Sequence, residues 1–307
     1  MNKPATLIRF GALALVWGSS FLWIKIALTG FSPVQIAVIR IGLGAAVVVA
    51  LLYARGHRLP RSRKAWGHLA VVALFANVIP FILFAVGERT VDSGIAGVIN
   101  STTPLWTLAI GLLLGSEKQG GGARLLGLIL GFAGTLLIFA PWHQAGLASW
   151  GALACLAAAV SYAVAYVYIG RSLSRFGLTA MQLSSAQLVV GTGLTALVVP
   201  VAGMQLVHLN AAALIAVAVL GVFGTGIAFV INYRLIEDEG TTNATTVGYL
   251  LPVVSVLLGA AFLREALTVR VVVGMAVVLF GVALTRHRPI VEIASVVTRP
   301  ASLAAMK

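Results

Sequence analysis

The apolar residues of the chain fall into long runs that are separated by short polar or basic segments. Each run approaches the ~20 apolar residues that a helix needs to cross the ~30 Å hydrocarbon core of a bilayer. Hydrophobic residues make up 60% of the chain and charged residues 9%, whereas about a quarter of a globular domain is charged. We therefore predict an all-α integral membrane protein with ten transmembrane helices, near residues 7–28, 33–54, 66–86, 93–115, 123–141, 147–169, 180–203, 209–232, 242–263 and 269–286.

Two of the predicted spans share an unusual layout. Pro104 precedes Glu117 by thirteen residues in the fourth span, and Pro252 precedes Glu265 by the same interval in the ninth. A proline removes a backbone hydrogen bond, so each of these helices is predicted to be interrupted near its middle. The repeated layout indicates a duplicated chain. The predicted units are a first five-helix repeat, a second five-helix repeat and a mobile cytoplasmic tail, at residues 1–143, 144–288 and 289–307.

The number of spans in each repeat has a consequence for topology. Because five is odd, the second repeat enters the membrane from the opposite side, and the two halves form an inverted repeat. This arrangement is common among secondary transporters, whose substrate sites lie near the midplane between the repeats. Most of the 21 Lys and Arg residues fall on one side, including the loop at 55–64. The positive-inside rule therefore places both termini in the cytoplasm and explains the net charge of +13 without a nucleic-acid partner.

The chain lacks the sequence signals of several other function classes. The single cysteine, Cys155, cannot build a disulfide framework or a cysteine-based metal site. No GxxxxGK loop is present to bind ATP. All eight acidic residues fall at span ends, in loops or in the tail, which predicts no buried carboxylate relay. We expect no enzyme activity, no cofactor and no metal, and instead gradient-driven export or exchange by alternating access.

Polar and aromatic residues recur on one face of two spans that correspond in the repeat. Asn77, Phe81 and Phe84 share a helix face in the third span, and Phe229 and Asn232 take the matching positions in the eighth. Such stripes would line a cavity for a small amphipathic solute. Alternatively, the rings contact lipid and the amides join neighbouring helices. The predicted substrate-binding residues are Trp17, Ser20, Phe21, Asn77, Phe81, Phe84, Asn100, Thr103, Ser161, Tyr162, Phe229, Asn232 and Tyr249.

Two charges fall within predicted spans. Lys25 and Arg40 are functional candidates because a charge inside a membrane is costly, and a cation there would attract a carboxylate. Alternatively, Lys25 extends to the interface and Arg40 binds backbone carbonyls. The two glutamates at the repeated helix ends would act as gate latches or as helix caps. The predicted charge or gating residues are Lys25, Arg40, Glu117 and Glu265, and the predicted hinges are Pro104 and Pro252.

Several of these residues carry a resemblance to a known family. The run at 17–21 (WGSSF), the two intramembrane cations, Pro104 with Glu117, and Pro252 with Arg264 and Glu265 resemble the EamA-type, ten-helix members of the drug/metabolite transporter superfamily. The chain is most similar to the YddG-type amino-acid exporters of bacterial inner membranes. The first copy departs from the family's glutamate and arginine ending, since lysine follows its glutamate.

The resemblance implies a multi-pass protein of the bacterial inner membrane that exports amino acids, aromatic or other apolar ones among them. Its expected partners are a small amphipathic substrate and membrane lipid, and ten spans with an internal pseudo-two-fold can function as a monomer. Efflux of drugs or organic cations is the alternative, which the aromatic residues favour and the lack of a mid-membrane acid disfavours. A membrane-embedded small-molecule sensor is the alternative of another class.

Overall fold

A computed structural model describes residues 3–91, 93–115, 122–140, 149–201, 205–254, 257 and 268–286. All regular secondary structure in these ranges is helical. The predictions for Glu117, Glu265 and the tail at 289–307 lie outside the described residues.

Fourteen α-helices are named here within the described ranges. They are α1 (Lys3–Gly18), α2 (Ser20–Ala27), α3 (Pro33–Ala54), α4 (Arg63–Ala73), α5 (Ile79–Gly87), α6 (Ser93–Asn100), α7 (Thr103–Leu113), α8 (Gly122–Phe139), α9 (Trp150–Ser172), α10 (Ala180–Val198), α11 (Ala211–Gly221), α12 (Ala228–Glu239), α13 (Thr241–Thr245) and α14 (Val269–Arg286). Two π-helical segments, Leu74–Val78 and Val222–Ile227, join α4 to α5 and α11 to α12. A 3-10 turn, Thr246–Tyr249, follows α13.

Long apolar helical stretches confirm the predicted all-α membrane class. Seven of them in the described chain are long and apolar enough to cross a membrane: Ala5–Ala27, Pro33–Ala54, Arg63–Gly87, Ile95–Leu113, Trp150–Phe176, Ala180–Val198 and Ala211–Glu239. Two shorter apolar helices occupy Gly122–Ile138 and Val269–Thr285. The second half of the predicted ninth span lies mostly outside the described residues.

The helices break where the sequence disfavours a continuous ladder of hydrogen bonds. The fourth predicted span divides into α6 and α7, and Pro104 occupies the first turn of α7, where no intrahelical amide donor is needed. The hydroxyls of Ser101 and Thr102 donate to the carbonyls of Val98 (2.6 Å) and Ile99 (2.7 Å) at the break. The 3-10 turn at 246–249 lies just before Pro252. Both prolines therefore lie at or next to changes in helical geometry.

Glycines allow α8 and α14 to pack closely along their length. A Cβ atom at Gly134 would lie 2.8 Å from the carbonyl oxygen of Gly274, and one at Gly127 would lie 2.7 Å from that of Gly281. These separations are shorter than a carbon and a carbonyl oxygen can tolerate, so the two backbones touch only because side chains are absent. Small residues at a helix crossing are typical of membrane proteins.

Candidate functional site

A cavity of about 90 Å³ lies between the helices. Its wall is mostly apolar and aromatic, with a few polar groups that point inward. Ten of the thirteen predicted substrate-binding residues line it: Trp17, Ser20, Phe21, Phe81, Phe84, Asn100, Thr103, Tyr162, Phe229 and Asn232. Arg40 also lines it. The fold therefore collects side chains from α1, α2, α3, α5, α6, α7, α9 and α12 around one space.

Aromatic rings form two groups in the wall. Phe229 makes edge-to-face contacts with Trp17 (centroids 6.2 Å apart) and with Phe81 (6.3 Å). Phe84 contacts Phe21 edge to face at 5.6 Å and stacks against Tyr162 at 6.0 Å. Edge-to-face pairs of this kind contribute about 0.5–1.5 kcal/mol beyond the area that they bury. The rings thus hold one another in place and present an apolar surface to a ligand.

Arg40 is the cation of the cavity wall. Its side chain is 5% exposed, its Nε donates to Thr225 Oγ1 (3.1 Å), and its guanidinium carbon lies 3.8 Å from the centre of the Phe81 ring. Within the described ranges no carboxylate oxygen lies within 4.0 Å of the guanidinium. A buried cation with no carboxylate in direct contact favours an anionic ligand.

Gln187 of α10 occupies the position that corresponds to Arg40 in the other half. Its Nε2 donates to Asn77 Oδ1 (2.5 Å), and its Oε1 accepts a hydrogen bond from the hydroxyl of Tyr233. Arg40 pairs with Thr225 and Gln187 pairs with Asn77, and these two partners lie 148 residues apart. The two pairs thus have the same layout, but only one of them is charged.

The π-helical segments supply the partners in both pairs. Asn77 belongs to Leu74–Val78 and Thr225 to Val222–Ile227, and these segments also begin 148 residues apart. Their widened turns leave carbonyls that other helices bind: Ser161 donates to Phe75 O (2.8 Å) and Trp17 Nε1 donates to Gly224 O (3.1 Å). Such segments are rare and occur frequently at functional sites.

Three predicted substrate-binding residues lie outside the cavity wall. Asn77 is fully buried behind it in the contact with Gln187, and Ser161 bonds to the backbone of the first π-helical segment. Tyr249 packs in the core against Gly131 and is 0% exposed. These side chains support the wall rather than form it.

The predicted set of substrate-binding residues leaves out several residues of the wall. They include Tyr166, Gln187, Tyr233 and Thr245. The hydroxyl of Tyr166 donates to Asn232 Oδ1 (3.0 Å), so it fixes a predicted residue. The correspondence of Gln187 with Arg40 was a usable signal. For Tyr233 there was no signal in the sequence beyond its neighbour Asn232, because the spacing of residues along a helix does not show in which direction a ring points.

Lys25 lies at the end of α2, outside the cavity wall. Its ammonium donates to the carbonyl oxygens of Glu88 (2.8 Å) and Val91 (3.1 Å). These carbonyls follow α5, where the negative end of the helix dipole favours a cation. Lys25 therefore ties α2 to the end of α5.

Glu88 is a buried acidic residue at the end of a span, where the sequence predicted no buried carboxylate relay. The residue follows the span Arg63–Gly87 directly, and its side chain is 0% exposed. Neither carboxyl oxygen has a hydrogen-bond partner among the described residues. Burial raises the pKa of the Glu88 carboxyl well above its usual range, while Lys25 and Arg40 oppose part of that rise. Tertiary packing covers the Glu88 side chain although the residue lies at a span end.

The comparison with known families decides what kind of protein this is. The sequence profile of the EamA-like transporter family matches residues 7–140 and again residues 149–286. The chain belongs to the EamA-like transporter family. It is therefore a multi-pass membrane transporter of small molecules.

Known proteins similar to this EamA-like transporter bear transporter names. An uncharacterized inner membrane transporter, YedA, of Escherichia coli (strain K12) is 30% identical over 283 residues, which cover 89% of this chain and 88% of the relative. The uncharacterized transporter YvbV of Bacillus subtilis (strain 168) is 23% identical and covers 94% of this chain and 93% of its own. One solved crystal structure matches 92% of this chain and 98% of that chain, with a TM-score of 0.74 and 24% identity, and supports the fold alone.

Proposed function

We propose that this EamA-like transporter exports amino acids, aromatic or other apolar ones among them, and related small metabolites from the cytoplasm. One observation carries the proposal: the Arg40 guanidinium lines an aromatic cavity, and no carboxylate of the described residues lies within 4.0 Å of it. A substrate that brings both a carboxylate and an apolar side chain satisfies both features of the wall.

The polar groups of the wall are arranged for such a substrate. The planar guanidinium accepts a carboxylate in a bidentate geometry. Asn100 and Thr103 add an amide and a hydroxyl to the same wall, and oxygen atoms of these types accept hydrogen bonds from an ammonium group. The rings of Phe81 and Phe229 then contact the apolar side chain of the substrate.

Efflux of organic cations is the second candidate, because aromatic faces attract cations. The charge of the wall argues against it. Within the described residues no Asp or Glu side chain lines the cavity, whereas Arg40 does. A cationic drug would therefore meet a like charge in a desolvated site.

The transport cycle follows from the same features. We infer ten membrane-spanning helices in two inverted repeats, with both termini in the cytoplasm, in the bacterial inner membrane, and a functional monomer. A cavity of about 90 Å³ holds several water molecules, each of which needs roughly 10–15 Å³. We infer that its wall moves during transport, and the breaks beside Pro104 and Pro252 are the proposed hinges. Alternating access moves the two halves about this site.

Uptake into liposomes that contain the purified protein tests the substrate class. The panel consists of labelled phenylalanine, labelled leucine, phenylalaninamide and a quaternary ammonium compound. We expect saturable movement of the two amino acids and at least tenfold slower movement of the amide, which lacks the carboxylate. Movement of the ammonium compound without movement of either amino acid would instead establish cation efflux.

A further inference from the structure

Glu88 is a buried acid for which the proposed transport function has no role. Its position results from close packing of α5 against α9: a Cβ atom at Gly87 would lie 2.8 Å from the carbonyl oxygen of Gly151. The absence of a side chain at Gly87 lets the helices meet, and the next residue is enclosed. Buried carboxyls are costly unless they are paired or protonated, and the carboxyl oxygens of Glu88 have no partner among the described residues.

The charged and titratable groups around Glu88 come from three helices. The charges of Lys25 on α2 and Arg40 on α3 act on its carboxyl, and the carboxyl acts on the thiol of Cys155 on α9. Arg89 follows Glu88 in the chain and lines the same outer pocket as Lys25 and Glu88, while Asp92 lies outside the described residues. The surroundings therefore combine low polarity, which favours a protonated carboxyl, with cations, which favour a carboxylate.

The ammonium of Lys25 does not form an ion pair with the Glu88 carboxyl. It donates to the backbone carbonyls of Glu88 and Val91 instead. The carboxyl thus receives the field of two cations without a hydrogen bond from either of them. A group in this state changes its protonation when a nearby charge changes.

We propose that Glu88 is a proton-binding site whose charge is coupled to that of Arg40, so that a proton and a carboxylate-bearing substrate bind to the transporter together. The part that concerns the substrate rests on the proposed function. Ionised Glu88 offsets the positive potential at Arg40 and repels a substrate carboxylate. Protonated Glu88 leaves that potential intact, and by linkage a bound carboxylate favours proton uptake at Glu88.

The coupling has a direct consequence for transport. Substrate and proton move in the same direction, so an amino acid that accumulates in the cytoplasm leaves together with a proton. The concentration gradient of the amino acid drives this movement. When the site opens to water, Glu88 loses its proton, and its negative charge then weakens the hold of Arg40 on the carboxylate.

Infrared difference spectroscopy of the purified protein in lipid nanodiscs tests the proton site without any substrate. Wild type is expected to keep the carbonyl band of one protonated carboxyl at a pH where ordinary carboxyls are ionised, and to lose that band as the pH is raised further. The band should be absent in Glu88→Gln and retained in Glu237→Gln, which changes an exposed glutamate. A spectrum that is the same in wild type and Glu88→Gln overturns the proposal.

The coupling to Arg40 is tested by the midpoint of the same titration. Removal of the cation in Arg40→Gln should shift the midpoint to higher pH, and Arg40→Lys should leave it near wild type. Lys25→Met, at an exposed residue, should shift it in the same direction if the arginine variants do not fold. An unchanged midpoint in the charge-removing variants that fold contradicts the coupling.

Binding of labelled phenylalanine separates this inference from the proposed function. Wild type is expected to bind phenylalanine about tenfold more weakly once Glu88 is ionised, and Glu88→Gln should bind it equally at pH values below and above the wild-type midpoint. Phenylalanine binding without the infrared band refutes the proton site and leaves the proposed function standing. The band and its midpoint shift without phenylalanine binding support the proton site and refute the amino-acid substrate.

Discussion

At the scale of single residues, the polar contacts behind the cavity wall decide whether the wall keeps its shape. Gln187 joins Asn77 and Tyr233 in a fully buried cluster. Gln187→Ala leaves both partners unpaired, at a cost of about 1–3 kcal/mol for each group. We expect a lower melting temperature in detergent, measured by intrinsic fluorescence.

The additivity of the substitutions separates this effect from a simple loss of packing. In the Gln187→Ala background, Tyr233→Phe should cost much less than it does in wild type, because the hydroxyl has already lost its acceptor. Equal costs in the two backgrounds would show that the hydrogen bond contributes nothing.

Glu88 gives stability a dependence on pH. Because burial raises the pKa of its carboxyl above the unfolded value of about 4.3, its contribution is fully present below the unfolded pKa and is lost as pH rises through the folded pKa. The melting temperature of wild type should therefore fall as pH rises above the unfolded pKa and level off above the folded pKa, and this fall should be smaller in Glu88→Gln. Parallel curves for the two proteins would rule out ionisation of Glu88 as the cause.

At the scale of helices, glycine sets the distance between α8 and α14. A leucine at Gly281 would meet the carbonyl oxygen of Gly127 at 2.7 Å and the amide nitrogen of Gly131 at 2.6 Å. Gly281→Leu should thus separate the pair and reduce the yield of folded monodisperse protein in size-exclusion chromatography. Gly67→Ala is the control, because no atom lies within 4 Å of its added Cβ. Equal yields of both variants would contradict close packing.

Hydrophobic runs predict the helices well, because the requirement to cross a membrane fixes their length and composition. The same pattern does not predict where the backbone geometry changes within a helix. The π-helical segments at 74–78 and 222–227 carry no proline and differ from ordinary helix only in how the turns widen around neighbouring side chains. The burial of Glu88 also depends on a neighbouring helix, α9, which is distant in sequence.

In the candidate site too, the sequence pattern predicted some features, whereas contacts between helices decided others. Spacing placed Phe81 and Phe229 on corresponding helix faces and left two alternatives, contact with lipid or a place in a cavity wall; in the structure both line the cavity. Asn77 shares the face of Phe81, yet it turns towards Gln187. Spacing identifies the face of a helix, whereas the choice between wall and support depends on which side chains meet across helices.

At the scale of the whole molecule, the proposed topology is testable with single cysteines in a Cys155→Ser background. A cysteine at Arg58 should lie in the cytoplasm and one at Arg89 in the periplasm. In intact cells, a membrane-impermeant maleimide is expected to label the second and to label the first only after permeabilisation. The reverse pattern would place the termini outside the cytoplasm.

We propose that Arg40 makes this EamA-like transporter a carrier of carboxylate-bearing apolar solutes. The most direct test is exchange of labelled phenylalanine against unlabelled phenylalanine in liposomes that contain wild type, Arg40→Lys or Arg40→Gln. Loss of charge-assisted hydrogen bonds worth about 1.5–3 kcal/mol predicts roughly 10- to 100-fold weaker apparent affinity in Arg40→Gln, with Arg40→Lys in between. Exchange by Arg40→Gln at wild-type affinity, or no exchange by wild type, would contradict the claim.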